Sequence, residues 1–373
     1  MKTIGYGVEK AGQKLKPLSF DRVDVRAGEV EIDITHCGVC HSDLHQLRDD
    51  WENSVYPCIP GHEIVGRVTK VGDGVSKFAE GDIVGVGCMV NSCQTCDPCE
   101  RGDEQYCEGP KSCTLTYNGP KKPDGTNTYG GYSTGMIVRE EFVLRIPDAI
   151  DPAEAAPILC AGVTTYSPMK HFGLTSGQTL GVAGIGGLGH MAVQLGKALG
   201  AKVVAFTTSP SKEDDIESLG ADDVVDMADA DAVEAAAQSL DMLIDTIPYP
   251  HELDDYLPLM KPNTTMVVVG NMIEFPKFSP APMVFNRVAI SGSLIGGVPV
   301  TQEVLDLCAE HDIRPEIRMI KMQDIDAALK RVEAEDIRFR HVIDMASLKD
   351  ARDIEATDVD APDRGEVVGR KAA

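Results

Sequence analysis

At 373 residues the chain has room for two domains with buried cores, and an apolar content of 43% with a mean hydropathy of −0.12 describes a globular protein rather than a disordered one. No run reaches the apolar length of a membrane span, and the opening Met1-Lys-Thr-Ile-Gly-Tyr-Gly has none of the regions of a signal peptide, so a cytoplasmic location is expected. A formal net charge of −24 repels phosphate backbones and anionic lipids, which excludes nucleic acid and membrane as partners.

The surplus acid reads as a solvated surface, and a salt-rich cytoplasm is the setting that would use it most. In a reducing compartment the eleven cysteines favour metal ligation over disulfides.

Residues 1–160 alternate short β-rich runs with Gly/Pro turns. Val30-Glu-Ile-Asp-Ile-Thr, Ile64-Val-Gly-Arg-Val-Thr-Lys-Val, Asp82-Ile-Val-Gly-Val and Phe142-Val-Leu-Arg-Ile predict a mostly antiparallel β domain. Inside it lies Cys93-Gln-Thr-Cys96-Asp-Pro-Cys99, closed by Cys107. The spacing C-x2-C-x2-C-x7-C places four thiolates where one tetrahedral Zn²⁺ can gather them as a structural site.

Residues 161–298 change to strand–helix alternation. Thr179-Leu-Gly-Val-Ala, Lys202-Val-Val-Ala-Phe, Asp223-Val-Val-Asp, Asp241-Met-Leu-Ile-Asp and Thr265-Met-Val-Val-Val predict an α/β unit with a doubly wound parallel sheet. Residues 299–348, a helix over 301–310 and the strand His341-Val-Ile-Asp, are expected to return to the first domain. Residues 349–373, acidic and short of large apolar groups, read as a disordered tail.

Gly184-Ile185-Gly186-Gly187-Leu188-Gly189 follows a β run and opens a helix. In that context the glycines form a dinucleotide fingerprint, because bare backbone lets a pyrophosphate approach a helix N-terminus. The next strand should end at a carboxylate if the ligand were NAD. It ends instead in Thr207-Thr208-Ser209-Pro-Ser-Lys212, whose hydroxyls and ammonium suit a 2′-phosphate and predict NADP(H).

Cys40, His62 and Cys160 also offer metal-ligand chemistry, but their separation makes each weak alone, and a cysteine in Ala156-Pro-Ile-Leu-Cys160 is commonly plain packing. The decisive pattern is Gly61-His-Glu-Ile-Val-Gly66 with Gly72. It resembles the zinc signature of medium-chain alcohol dehydrogenases, and every other motif agrees in order and spacing over roughly residues 1–347. Cys40-His-Ser-Asp-Leu-His45, Tyr117-Asn, Asp245-Thr246 and Gly292-Ser-Leu-Ile-Gly resemble the cinnamyl-alcohol-dehydrogenase-like branch, and within it the bacterial NADPH-dependent aldehyde reductases.

That resemblance implies a GroES-like catalytic domain joined to a Rossmann-type cofactor domain, a homodimer, and two Zn²⁺ per chain. The catalytic zinc would be held by Cys40, His62 and Cys160, and the structural one by Cys93, Cys96, Cys99 and Cys107. Glu63 would bind the catalytic zinc transiently or stand behind it as a supporting carboxylate, and Asp43 would accept a hydrogen bond from His62.

Ser42 and His45 would relay a proton between substrate oxygen and water. His41, Thr164, Thr246, Gly270, Ser293, Leu294, Ile295 and Arg340 would contact the cofactor, as would His190 at the helix start. The implied reaction moves hydride between NADP(H) and a primary alcohol or aldehyde.

Plant members carry an indole and a phenyl ring where this chain has Leu115 and Leu294, so aliphatic walls predict a broad aldehyde range. The rival readings are a polyol or secondary-alcohol dehydrogenase and a catalytically silent zinc-stabilised binding protein.

Overall fold

A computed structural model describes residues 1–109, 112–117, 128–270, 273–334, 338–349 and 355–359. They form two compact units. The first comprises Met1–Val143, Met319–Leu329 and the described residues from Ile343 onward; the second comprises Leu144–Arg318 and Lys330–Val342.

In the first unit β1 (Lys2–Gly7) and β2 (Lys16–Asp21) pair antiparallel. The long strand β3 (Glu29–Val39) buries Val30, Ile32 and Ile34 while Glu31, Asp33 and Thr35 between them stay partly exposed, the period-two pattern of a half-buried strand. It runs through Cys40 into helix α1 (His41–Arg48). β3 pairs antiparallel with β4 (Ile64–Val71) and with β6 (Gly135–Arg139), and β4 pairs with β5 (Ile83–Val86). The mostly antiparallel β domain is therefore as expected.

The second unit opens on Pro152–Pro157, a wide helical turn over Ile158–Gly162 and helix α2 (Val163–His171), without interruption. Six parallel strands follow: β7 (Thr179–Ala183), β8 (Lys202–Thr207), β9 (Asp223–Asp226), β10 (Leu240–Asp245), β11 (Met260–Val268) and β12 (Ala289–Gly292). Their spatial order is β9-β8-β7-β10-β11-β12. Leu180, Val182, Val203, Ala205, Phe206, Leu243 and Ile244 are fully buried, as strands covered on both faces require. The order reverses between β7 and β10, so the carboxyl ends of these two strands form the switch point at which such sheets bind ligands. Helix α3 (Gly189–Ala198) starts there.

Two boundaries differ from expectation. The units divide at residue 144 rather than 161, because the buried stretch from Pro152 runs straight into α2. Helix α4 (Val298–Glu310) stays in the second unit, since Thr301, Val304, Leu305 and Cys308 form a buried stripe and the helix packs on α2.

Most of the acidic tail lies outside the described residues. Within 355–359, however, Thr357–Asp358 pairs in parallel with Leu18 and Ser19 of β2, through backbone groups that need no apolar side chain.

Candidate active site

The four lobe cysteines do converge. Sγ of Cys93 lies 3.9 Å from that of Cys99, and Sγ of Cys96 lies 4.0 Å from that of Cys107. Four sulfurs at tetrahedral Zn–S distances of about 2.3 Å stand about 3.8 Å apart, so both pairs have the spacing of zinc ligands. Backbone N–H groups point at the sulfurs: Cys93 and Gly109 donate to Cys107 (both 3.4 Å), Thr95 to Cys93 (3.5 Å) and Glu108 to Cys96 (3.4 Å). Amide donors favour the thiolate form that a metal needs.

A second group is fully buried: Cys40, His62, Glu63 and Cys160, with ligand atoms all within 4.8 Å of one another. Local structure explains each placement. Cys40 is the N-cap of α1, and its backbone N–H donates to the carboxylate of Asp43 at the third helical position (2.9 Å), a reciprocal cap that fixes the helix start.

His62 follows Gly61, whose φ of +97° suits glycine and whose absent Cβ would lie 2.6 Å from the Tyr132 ring. Glu63 is 0% exposed and occupies space beside Gly38, where a Cβ would collide with its carboxylate. Cys160 sits on the wide turn before α2. Two sulfurs, an imidazole and a carboxylate form a borderline-soft donor set suited to zinc.

Asp43, itself 0% exposed, also accepts from the Gly61 N–H (3.0 Å) and the Tyr132 hydroxyl (3.0 Å). Its expected bond to His62 is long, 3.5 Å from Nδ1, and the hydroxyl of Tyr117 lies closer to that nitrogen at 3.1 Å. Both partners face Nδ1. Tyr117 is the residue whose role sequence reasoning missed. It stands 55 positions from His62, and only the Tyr117-Asn motif drew notice to it.

Ser42 and His45 lie three apart on α1, hence on one face. The Ser42 hydroxyl is 3.7 Å from Sγ of Cys40. His45 Nδ1 bonds Asp50 at 2.8 Å, and its ring contacts His41 (4.9 Å, stacked) and Trp51 (5.1 Å).

In the second unit the glycine loop has the close packing a dinucleotide requires. A Cβ at Gly189 would collide with the Gly184 carbonyl, and Gly186 faces open space. Thr246 closes the loop, its hydroxyl donating to the carbonyls of Ala183 (3.0 Å) and Gly184 (2.6 Å), and Gly270 packs against the Thr246 backbone. Arg340 is buried against the loop, with a guanidinium nitrogen 2.8 Å from where a Gly187 Cβ would stand.

Thr164 Oγ1 is buried with no hydrogen-bond partner among the described residues, an orphan that a ligand amide would satisfy. At the end of β8, Thr207 accepts from the Ser209 N–H (3.0 Å), Thr208 is exposed and Lys212 is partly exposed. Ser293 and Ile295 are partly buried, and Leu294 is 38% exposed.

His190 does not point at a pyrophosphate. It is 0% exposed, stacks on Phe339 (5.1 Å, 7°) and donates through Nδ1 to the Gly186 carbonyl (3.3 Å).

Residues 26–148 match the alcohol dehydrogenase GroES-like domain, and residues 187–310 match the zinc-binding dehydrogenase model. The aldehyde reductase YahK of Escherichia coli (strain K12) is 48% identical over 355 residues, covering 94% of this chain and 100% of that protein. The cinnamyl alcohol dehydrogenase SbCAD4 of Sorghum bicolor superposes with a TM-score of 0.89 at 40% identity, over 93% of this chain and 98% of that one. The cinnamyl alcohol dehydrogenase of Helicobacter pylori, solved with NADP(H), gives 0.86 at 39% identity, over 93% and 99%.

Proposed function

The chain belongs to the zinc-containing medium-chain alcohol dehydrogenases, in the cinnamyl-alcohol-dehydrogenase-like branch, and we propose that it works chiefly as a broad-range, NADPH-dependent reductase of primary aldehydes. The observation that carries this reading is the second donor group. A structural protein needs the cysteine lobe alone, whereas Cys40, His62 and Cys160 with Glu63 supply the Cys₂His set, with a fourth position for substrate, that is established for alcohol dehydrogenases.

Zinc held by Cys40, His62 and Cys160 would supply a Lewis acid for the aldehyde oxygen, and NADPH would supply hydride. The residues of the chain do the rest. The hydroxyl of Ser42 gives a proton to the forming alkoxide oxygen, and His45, oriented by Asp50, restores it from solvent. Glu63 would lend its carboxylate to such a zinc, as a transient ligand or as a support behind it. Gly184–Gly189 and the buried Arg340 take the pyrophosphate, with His41 beside it. Thr164, Thr246, Gly270, Ser293, Leu294 and Ile295 take the nicotinamide half.

Thr207, Thr208, Ser209 and Lys212 bind the 2′-phosphate. No carboxylate stands in that turn, and the Helicobacter pylori relative was solved with NADP(H).

We place the enzyme in the cytoplasm as a homodimer. β12 is the open edge of the six-stranded sheet, and beside it in sequence Val284 (74% exposed) and Phe285 (85%) are apolar side chains that a second copy would cover.

The test is NADPH and NADH oxidation with benzaldehyde, butanal, ketones and, in reverse, polyols. Primary aldehydes with NADPH should dominate. Faster turnover of ketones or polyols would assign the rival substrate class, and one zinc per chain without turnover would leave only a binding protein.

A further inference from the structure

Tyr117 belongs to a motif that the reaction above leaves without a role. Its ring is buried and stacks on the imidazole of His62, with centroids 5.4 Å apart and 27° between planes. Its oxygen is the nearer of the two partners of Nδ1, at 3.1 Å against 3.5 Å for Asp43. The longer distance is at the outer limit of a hydrogen bond.

Asp43 is already occupied by donors from Cys40, Gly61 and Tyr132.

Resting on the zinc reading of the site, we propose that Tyr117 is a positioning residue for the metal-binding histidine. Its oxygen accepts Nδ1–H of His62, and the carboxylate of Asp43 beyond it, which can only accept, keeps the proton on that nitrogen. The arrangement fixes the tautomer, keeps Nε2 turned to the metal and, through ring stacking, holds the imidazole plane. A relay of this kind makes the basicity of His62 depend on a phenol as well as on a carboxylate, and it loses its orienting bond when one oxygen is removed.

Tyr117→Phe removes that oxygen and keeps the ring. Wild type and variant are purified, their zinc is counted, and release to excess chelator is followed in time. The cysteine lobe serves as internal reference. The expected result is two zincs in each protein and an unchanged lobe phase in the variant. The other phase should be faster in line with the about 10–100-fold affinity loss typical when a ligand's supporting hydrogen bond is removed. kcat should fall with little change in KM for NADPH.

Two zincs with unchanged release in the variant would overturn the role of Tyr117 alone. Equal acceleration of both phases would mark a packing defect and overturn it too. A wild type holding a single zinc would overturn the zinc reading and this role together.

Discussion

The cysteine lobe gathers four thiols from residues 93–107 and holds their sulfurs with backbone amides. The second group gathers its donor atoms from residues 40, 62–63 and 160, with the buried side chains of Asp43 and Tyr117 at His62. A backbone-held site is rigid and local, so it can staple a loop but offers few handles for tuning. A site held by side chains depends on distant segments arriving together. In exchange, each supporting hydrogen bond adjusts the basicity and aim of a ligand.

The largest expected effect separates the two directly. Cys40→Ser should lower kcat/KM at least about a thousandfold, since the metal's charge stabilisation of several kcal/mol is lost, while the lobe keeps its zinc and the melting temperature changes little. Cys96→Ser should do the reverse, lowering the melting temperature while molecules that stay folded keep their turnover. Equal melting losses in both variants would erase the distinction.

A smaller effect should leave both metals in place. Lys212→Ala should raise KM for NADPH about tenfold, the loss of one charge-assisted contact of about 1.4 kcal/mol, with NADH unaffected. Parallel shifts for the two cofactors would show that this turn does not hold the 2′-phosphate.

A comparable effect, on stability alone, concerns acid, which strips metal from both groups and must be separated from other responses. His190 belongs to neither group. Burial first, then Arg340, lower its pKa to about 3. Below pH 6.5 the unfolded chain therefore binds a proton that the folded one refuses, and stability falls with pH through that window, by about 2 kcal/mol at pH 5. Urea melts at pH 7 and pH 5 in excess zinc should show this slope, and His190→Gln should flatten it. An equal slope in the variant would assign the acid response to the metal groups instead.

This contrast also governs what the sequence disclosed. The lobe was legible because its spacing is its geometry, and the glycine loop because strand, turn and helix are contiguous. Cys40, His62 and Cys160 had to be inferred by resemblance, since separations of twenty and a hundred residues carry no distance. The Asp43–His62 bond was half right: chain order could not show that a tyrosine 55 positions away reaches Nδ1 first.

His190 seemed suited to pyrophosphate from its place in the chain, yet its ring turns inward onto Phe339. The change of pattern at Gly162 falls inside one continuous buried helical stretch, and the compact units part at residue 144. The tail strand at Thr357–Asp358 was invisible to side-chain arguments because backbone alone makes it. Outside the two groups, Cys58 and Cys308 are pushed up to about 12 by burial, and so are inert.

Trp51 is the chain's only tryptophan, and its ring centre lies 5.1 Å from that of His45. All indole emission from this molecule therefore originates beside His45. The protein thus carries a built-in optical reporter of the surroundings of that imidazole, readable in real time without label or substrate analogue.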